Sequence, residues 1–151
     1  IAPRARGGLG QLDAPGLKPD FVIVMLGVNN LWAAEEPVVD SVVAGVRAVL
    51  RRVHERQPKA HIVLQSILPA QDTGRNRDEI RPINARLQAL AADAEFAGFT
   101  TWFDLYPAFV DHSGAQIRGY FTDDLHPNTA GYRVWRDRLV PALAALRTRR
   151  P

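Results

Sequence analysis

Two short, unbroken apolar runs separated by one long amphipathic stretch constrain this chain more than any other feature. The first, residues 20–26 (DFVIVML), follows Pro19 and shows no polar alternation, the pattern of a strand buried on both faces. Residues 37–55 then place Val39, Val42, Val43, Val46, Val49, Leu50 and Val53 at intervals of three and four, which is helical periodicity. Arg47, Arg51 and Arg52 fall on the opposite, solvent-facing side. Pro37 suits the first helical turn, and Pro58 blocks any continuation. The second apolar run, residues 61–67 (HIVLQSI), predicts another strand.

The alternation continues. Residues 71–78 are polar and read as a loop. A helix is expected over 79–96 with Ile83, Leu87, Leu90 and Ala94 inward, ended by Gly98. Residues 100–104 (TTWFD) make a third strand, and an irregular segment over 106–127 leads to a last helix. That helix carries Tyr132, Trp135, Leu139, Leu143 and Leu146 on one face, with Asn128 or Thr129 as its cap. Strands alternating with helices imply parallel neighbours, right-handed crossovers and a three-layer α/β/α sandwich. Residues 1–19, rich in Gly, Pro and Arg, read as a loop entering the first strand, and 20–151 as part of a single domain. Three parallel strands form a narrow sheet whose first member offers an apolar, unpaired edge. That edge predicts a further βαβ unit upstream, or self-association of this chain alone.

Composition excludes several function classes. With 46% apolar and 23% charged residues the chain has a globular balance, not a disordered one. No apolar stretch is long enough to span a bilayer, and the first residues lack the apolar centre of a signal peptide. The net charge of +3 is scattered along helices without interleaved aromatics, so no nucleic-acid face is expected. No cysteine is present, which removes disulfide and thiolate chemistry.

In open α/β sheets ligands bind beyond the carboxyl ends of the strands. After the first strand comes Gly27-Val28-Asn29-Asn30. The glycine permits a sharp turn, and an Asn side chain there can donate to an oxyanion, a contribution of about 3 kcal/mol in a transition state. The alternative for these carboxamides is an Asx turn closing the loop. Before the last helix comes Asp123-Asp124-Leu125-His126-Pro127-Asn128. An Asp three residues before a His on a tight turn can hold the imidazole in one tautomer and leave its other nitrogen as a general base. The alternative is a capping Asp beside an exposed His. His54, on a polar helix face, and His61, opening a strand, read as structural or solvated. His112 lies in the loop before the Asp–His segment.

Four blocks, residues 17–30 (LKPDFVIVMLGVNN), 66–69 (SILP), 83–87 (INARL) and 121–132 (FTDDLHPNTAGY), resemble the SGNH/GDSL hydrolase superfamily. Their order and spacing are similar to the branch containing the catalytic subunits of platelet-activating-factor acetylhydrolase and their bacterial relatives. The resemblance implies a flavodoxin-like fold of five parallel strands, with the N-terminal strands absent from this sequence and the last three present. It implies that Gly27 and Asn29 belong to the oxyanion hole, that His126 is the general base, and that Asp123 orients it. Asn30, where the family often has Asp, and Asp124 would line the site. The family's Gly-Asp-Ser block, which holds the nucleophile, is not in this sequence. Residues 7–10 (GGLG) stand where the loop before the first strand is expected. Ser41 lies on a helix, Ser66 within a strand and Ser113 in the long loop, so none sits on a strand-to-helix elbow.

The implied activity is hydrolysis of a small-molecule ester, short-acyl or acetyl, on a lipid or a carbohydrate, without a cofactor. The polar loop over residues 71–77 would tune selectivity. A second possibility is an inactive binding module that keeps the fold without the nucleophile. A third is a metal-dependent hydrolase using Asp123, Asp124, His126 and Asn30, although zinc generally wants more nitrogen or sulfur ligands.

Overall fold

The computed structural model describes residues 10–32, 37–71 and 77–149. These fall into two compact units, one holding the sheet up to Ile67 and again from 77 to Asp104, the other holding residues 68–71 and 105–149.

In the sheet unit, β1 (Phe21–Val24), β2 (His61–Gln65) and β3 (Thr100–Phe103) are parallel in the order β1-β2-β3. Val24 pairs with Leu64, and Gln65 with Phe103. Parallel neighbours need long crossovers, and α1 (Val38–Arg56) and α2 (Ile80–Ala92) supply them. β2 behaves as its apolar run predicts: Ile62, Val63, Leu64 and Gln65 are all essentially inaccessible. β1 does not. It is four residues long, and Ile23 remains 44% exposed, because no described strand pairs with its outer edge.

Seven residues of α1 are buried: Val38, Val42, Val43, Val46, Val49, Leu50 and Val53. Valine is a mediocre helix former, so packing rather than propensity holds this helix. Its carboxyl end is tied down by Gln57 Nε2 donating to the Leu12 carbonyl at 2.8 Å and by an Arg56–Asp13 ion pair.

α2 stops four residues before the expected end. Asp93 turns extended, its carboxylate accepts the Glu95 N–H at 3.0 Å, and its carbonyl accepts those of Phe96 and Ala97. This side-chain turn competes with the helix; it buries Phe96 and leaves Ala94 exposed rather than inward. It also recruits Arg47, which was expected to face solvent. Arg47 bonds Glu95 at 2.6 Å and Asp93 at 3.2 Å, and lies over the Phe96 ring. His54 likewise is not on an open polar face. Its ring stacks flat on Phe99 with centroids 3.7 Å apart. His61 Nε2 lies 2.8 Å from Thr101 Oγ1 across two strands.

The second unit has little regular structure before α3 (Thr129–Arg149). Phe109, fully buried, meets Tyr120 and Phe121 edge-on. Bridges Val110–Gln116 and Phe121–Pro127 close two successive turns. α3 is less buried than its apolar stripe suggests. Tyr132 is 58% exposed and stacked on Trp135, and Gly131 is its only buried residue. No described helix is long and apolar enough to cross a membrane.

Candidate active site

The turn after β1 is built around Gly27. Its φ of +122° suits glycine alone. A Cβ there would also sit 2.7 Å from Ile67 Cδ1 and 2.8 Å from Val42 Cγ1. The chain then enters a 3-10 turn, Val28–Trp32, anchored by buried Leu31 and by the Asn30 N–H donating to the Gly27 carbonyl at 3.0 Å. The turn leaves Asn29 exposed and Asn30 half-buried. Neither carboxamide bonds another described residue, so an Asx turn does not account for them.

The turn before α3 is held by polar groups. Asp123 Oδ1 accepts the N–H groups of Leu125 at 2.8 Å and His126 at 2.7 Å, while Oδ2 lies 2.8 Å from His126 Nδ1. Thr122 N–H donates to the His126 carbonyl at 2.8 Å and closes the loop. The backbone bond from His126, then its ring, then the Leu125 N–H, hold the Asp123 carboxyl down to about 2. An ionised carboxylate facing Nδ1 favours the tautomer with its proton there and leaves Nε2 as an acceptor. His126 is 71% exposed, and Nε2 bonds no described residue.

Asn128 fastens this turn to α3. Its Nδ2 donates to the Gly119 and Phe121 carbonyls, and its Oδ1 accepts from Ala130 and Gly131 as a helix cap. Thr129 is the first helical residue instead. Gly131 lies against the Tyr120 carbonyl, where a Cβ has no room. Asp124 points its carboxylate at Arg118 as an ion pair. Among the described residues no three His, Asp or Glu side chains are grouped as metal ligands.

The three serines each have their own setting. Ser66 is fully buried at the end of β2, Ser41 is half-buried on α1, and the Ser113 hydroxyl donates to Asp111 at 2.6 Å. That bond belongs to a turn in which Asp111 also accepts the Ser113 and Ala115 N–H groups. These donors hold its carboxyl below the usual range, and the turn leaves His112 exposed. Asp at 111 with Gly at 114 is a turn signature readable in the sequence. Residues 1–9 and 72–76, which hold most of the Gly-rich stretch and of the polar loop, lie outside the described residues.

A parallel sheet with helices as its crossovers, an Asn-bearing turn after its first strand and an Asp–His turn before the last helix make this an α/β protein. Residues 2–134 match the GDSL-like lipase/acylhydrolase family, and the chain belongs to that family. It is 32% identical over 124 residues to human platelet-activating factor acetylhydrolase IB subunit alpha1, covering 82% of this chain and 50% of the relative. The chain thus spans about half the length of the curated relatives it matches. A GDSL-like lipase from Bacteroides thetaiotaomicron superposes with a TM-score of 0.73 at 22% identity, covering 94% of this chain and 71% of the other. A carbohydrate esterase family 3 protein from Talaromyces cellulolyticus does so at 0.68 and 19%, covering 94% and 65%. These likenesses carry the fold, including the α/β architecture expected from the sequence.

Proposed function

We propose that this chain carries the acid–base and oxyanion part of a serine-type ester hydrolase acting on short acyl esters, acetyl foremost, of a lipid or a carbohydrate. A serine supplied by residues outside this sequence attacks the ester carbonyl. His126 Nε2 takes the hydroxyl proton and passes it to the departing alkoxide. Asp123 keeps the imidazole oriented and stabilises the imidazolium. Asn29, on the turn opened by Gly27, donates an N–H to the tetrahedral oxyanion, and Asn30 and Asp124 line the site. Water, deprotonated by His126, then releases the acid and regenerates the serine.

The observation that carries this reading is the Asp123–His126 contact with Nε2 left open. The acetyl preference draws on the human relative's being an acetylhydrolase, and the carbohydrate alternative on the fungal carbohydrate esterase. The test is hydrolysis of p-nitrophenyl acetate by the protein with its native upstream sequence. His126→Ala should lower kcat by about 10⁴-fold or more; a variant within threefold of wild type ends the reading.

A binding module without acyl transfer is favoured by one observation: Ser41, Ser66 and Ser113 are respectively half-buried on a helix, fully buried, and committed to Asp111. The intact mass of the native protein separates the two. A mass above 16.7 kDa with Gly-Asp-Ser in the added sequence supports the esterase; 16.7 kDa alone brings the binding module forward. On the esterase reading the outer edge of β1 takes an upstream strand, so the 151-residue chain by itself should self-associate in sedimentation experiments.

A further inference from the structure

Of all the groups around the Asp–His turn, one buried side chain reaches it that the acid–base reading does not use. Gln116 is 5% exposed, and its Nε2 donates to two carbonyls, Pro69 at 2.9 Å and Asp124 at 3.0 Å. The Gln71 N–H adds a second donor to the same Asp124 carbonyl at 3.1 Å. Both partners of the carboxamide are acceptors, so only its NH₂ can face them, and the amide orientation follows from chemistry. The Oε1 on its other side is buried without a partner among the described residues.

The placement of Gln116 is itself specified. Asp111 gathers the Ser113 N–H, the Ser113 hydroxyl and the Ala115 N–H onto one carboxylate oxygen. Residues 110 and 116 are thereby closed into an antiparallel bridge, and the Ile117 N–H donates to the Phe109 carbonyl beside it. Phe109, with no exposure, pins the base of the turn.

Asp124 has a second tether, the ion pair with Arg118, but these side chains are 64% and 50% exposed. Exposed pairs contribute about 0–1 kcal/mol and are screened by salt. A buried amide donor is different, since removing it takes the side-chain donor from the Pro69 carbonyl and leaves the Asp124 carbonyl to the Gln71 N–H alone. The Gln116 carboxamide, together with the Gln71 N–H, therefore sets where the Asp124 carbonyl sits. Asp123 is joined to Asp124 by one peptide bond, so the same tether sets the carboxylate that faces His126.

We propose that Gln116 is a positioning residue: its carboxamide locks the Asp124 carbonyl to the segment following β2 and so fixes the Asp123 carboxylate against His126. This deepens the esterase reading and rests on it for its catalytic consequence, though not for its structural one. Gln116→Met keeps the length and removes the donor; Gln116→Asn keeps the donor and is one methylene too short to span both carbonyls.

In the full native protein, both variants are compared with wild type by NMR and by p-nitrophenyl acetate kinetics. The β2 amide resonances should stay in place, while the His126 Nδ1 proton resonance, shifted downfield in wild type by the bond to Asp123, should move upfield or broaden away. The kcat should fall about 10- to 100-fold, the scale of a small misplacement of a reacting group, with KM within twofold. Variants that keep both the Nδ1 resonance and kcat overturn the proposal, as does loss of the β2 resonances in both, which makes Gln116 a residue of general stability. If wild type hydrolyses no ester, the esterase reading falls, and the Nδ1 resonance alone decides for or against Gln116.

Discussion

After β1, Gly27 is held by volume: a φ of +122° and the methyl groups of Ile67 and Val42 leave no place for a Cβ. Before α3, the turn is held by directed bonds, with Asp123 taking three donors and Asn128 two while giving two. The first construction tolerates changes of charge and solvent and fails when an atom is added. The second tolerates neighbours of many shapes and fails when a donor or acceptor is lost. The two turns should therefore break under different substitutions, and that contrast can be pressed experimentally.

The largest separation is expected from Asp123→Asn. The substitution keeps the volume and removes the charge facing His126 Nδ1, and the carboxamide can present an N–H to that nitrogen, favouring the wrong tautomer. Activity should fall by about 10⁴-fold while the melting of the sheet unit, followed by the β2 amide resonances, stays at the wild-type temperature. A shared loss of both would mean that the two constructions are not independent.

On the proposed oxyanion role, Asn29→Ala should cost less, about 10²–10³-fold in kcat with KM little changed, while the 3-10 turn, which rests on Leu31, keeps its fold. An effect on KM alone would place Asn29 in substrate binding instead. Gly27→Ala tests the steric half directly. A left-handed conformation and overpacking against two side chains together should destabilise the protein by about 2–4 kcal/mol, read as a lowered urea midpoint. A midpoint unchanged from wild type would show that Ile67 and Val42 can yield, and the contrast with the polar turn would weaken.

The same division explains what could be read in the sequence. The parallel α/β fold was legible because the buried runs of β2 and the valines of α1 are dense and periodic, and burial follows period. The boundaries that went astray lie where a polar side chain captured the backbone, as Asp93 did in ending α2 and recruiting Arg47, or where cover is lacking, as along β1 and at Tyr132. Gly27 was visible as the glycine that ends an apolar run, although Val42 and Ile67, which exclude a Cβ there, are distant in sequence; the Asp123–His126 spacing was visible because its groups lie three residues apart. Gln116 was not, since its partners Pro69 and Asp124 lie 47 and 8 residues away and a single glutamine in a loop has no period. The partner of His54, read as structural or solvated, was hidden for a related reason: Phe99, on which it stacks, is distant in sequence.

Acid gives the mildest way to separate the halves. Three donors hold Asp123 at about 2 against an ordinary 3.8, so its charged form is favoured by the fold. A carboxyl depressed in this way adds stability that is fully present above about 3.8 and is lost as pH falls through about 2. The Leu125 and His126 amide resonances should accordingly be steady down to the upper value and move between the two. The amides of Gly27 and β2 should not follow them, because steric exclusion has no proton to gain. Asp93 is lowered as well, by the Glu95 N–H and then Arg47, and Glu95 by Arg51 and Arg47, so the end of α2 should respond at acid pH and serves as an internal control for carboxyl protonation. Movement of Leu125 and His126 at the ordinary carboxyl value would mean that the Asp123 bonds are weaker in solution than their geometry requires. Movement of Gly27 in step with them would mean that the turn after β1 also rests on a charge.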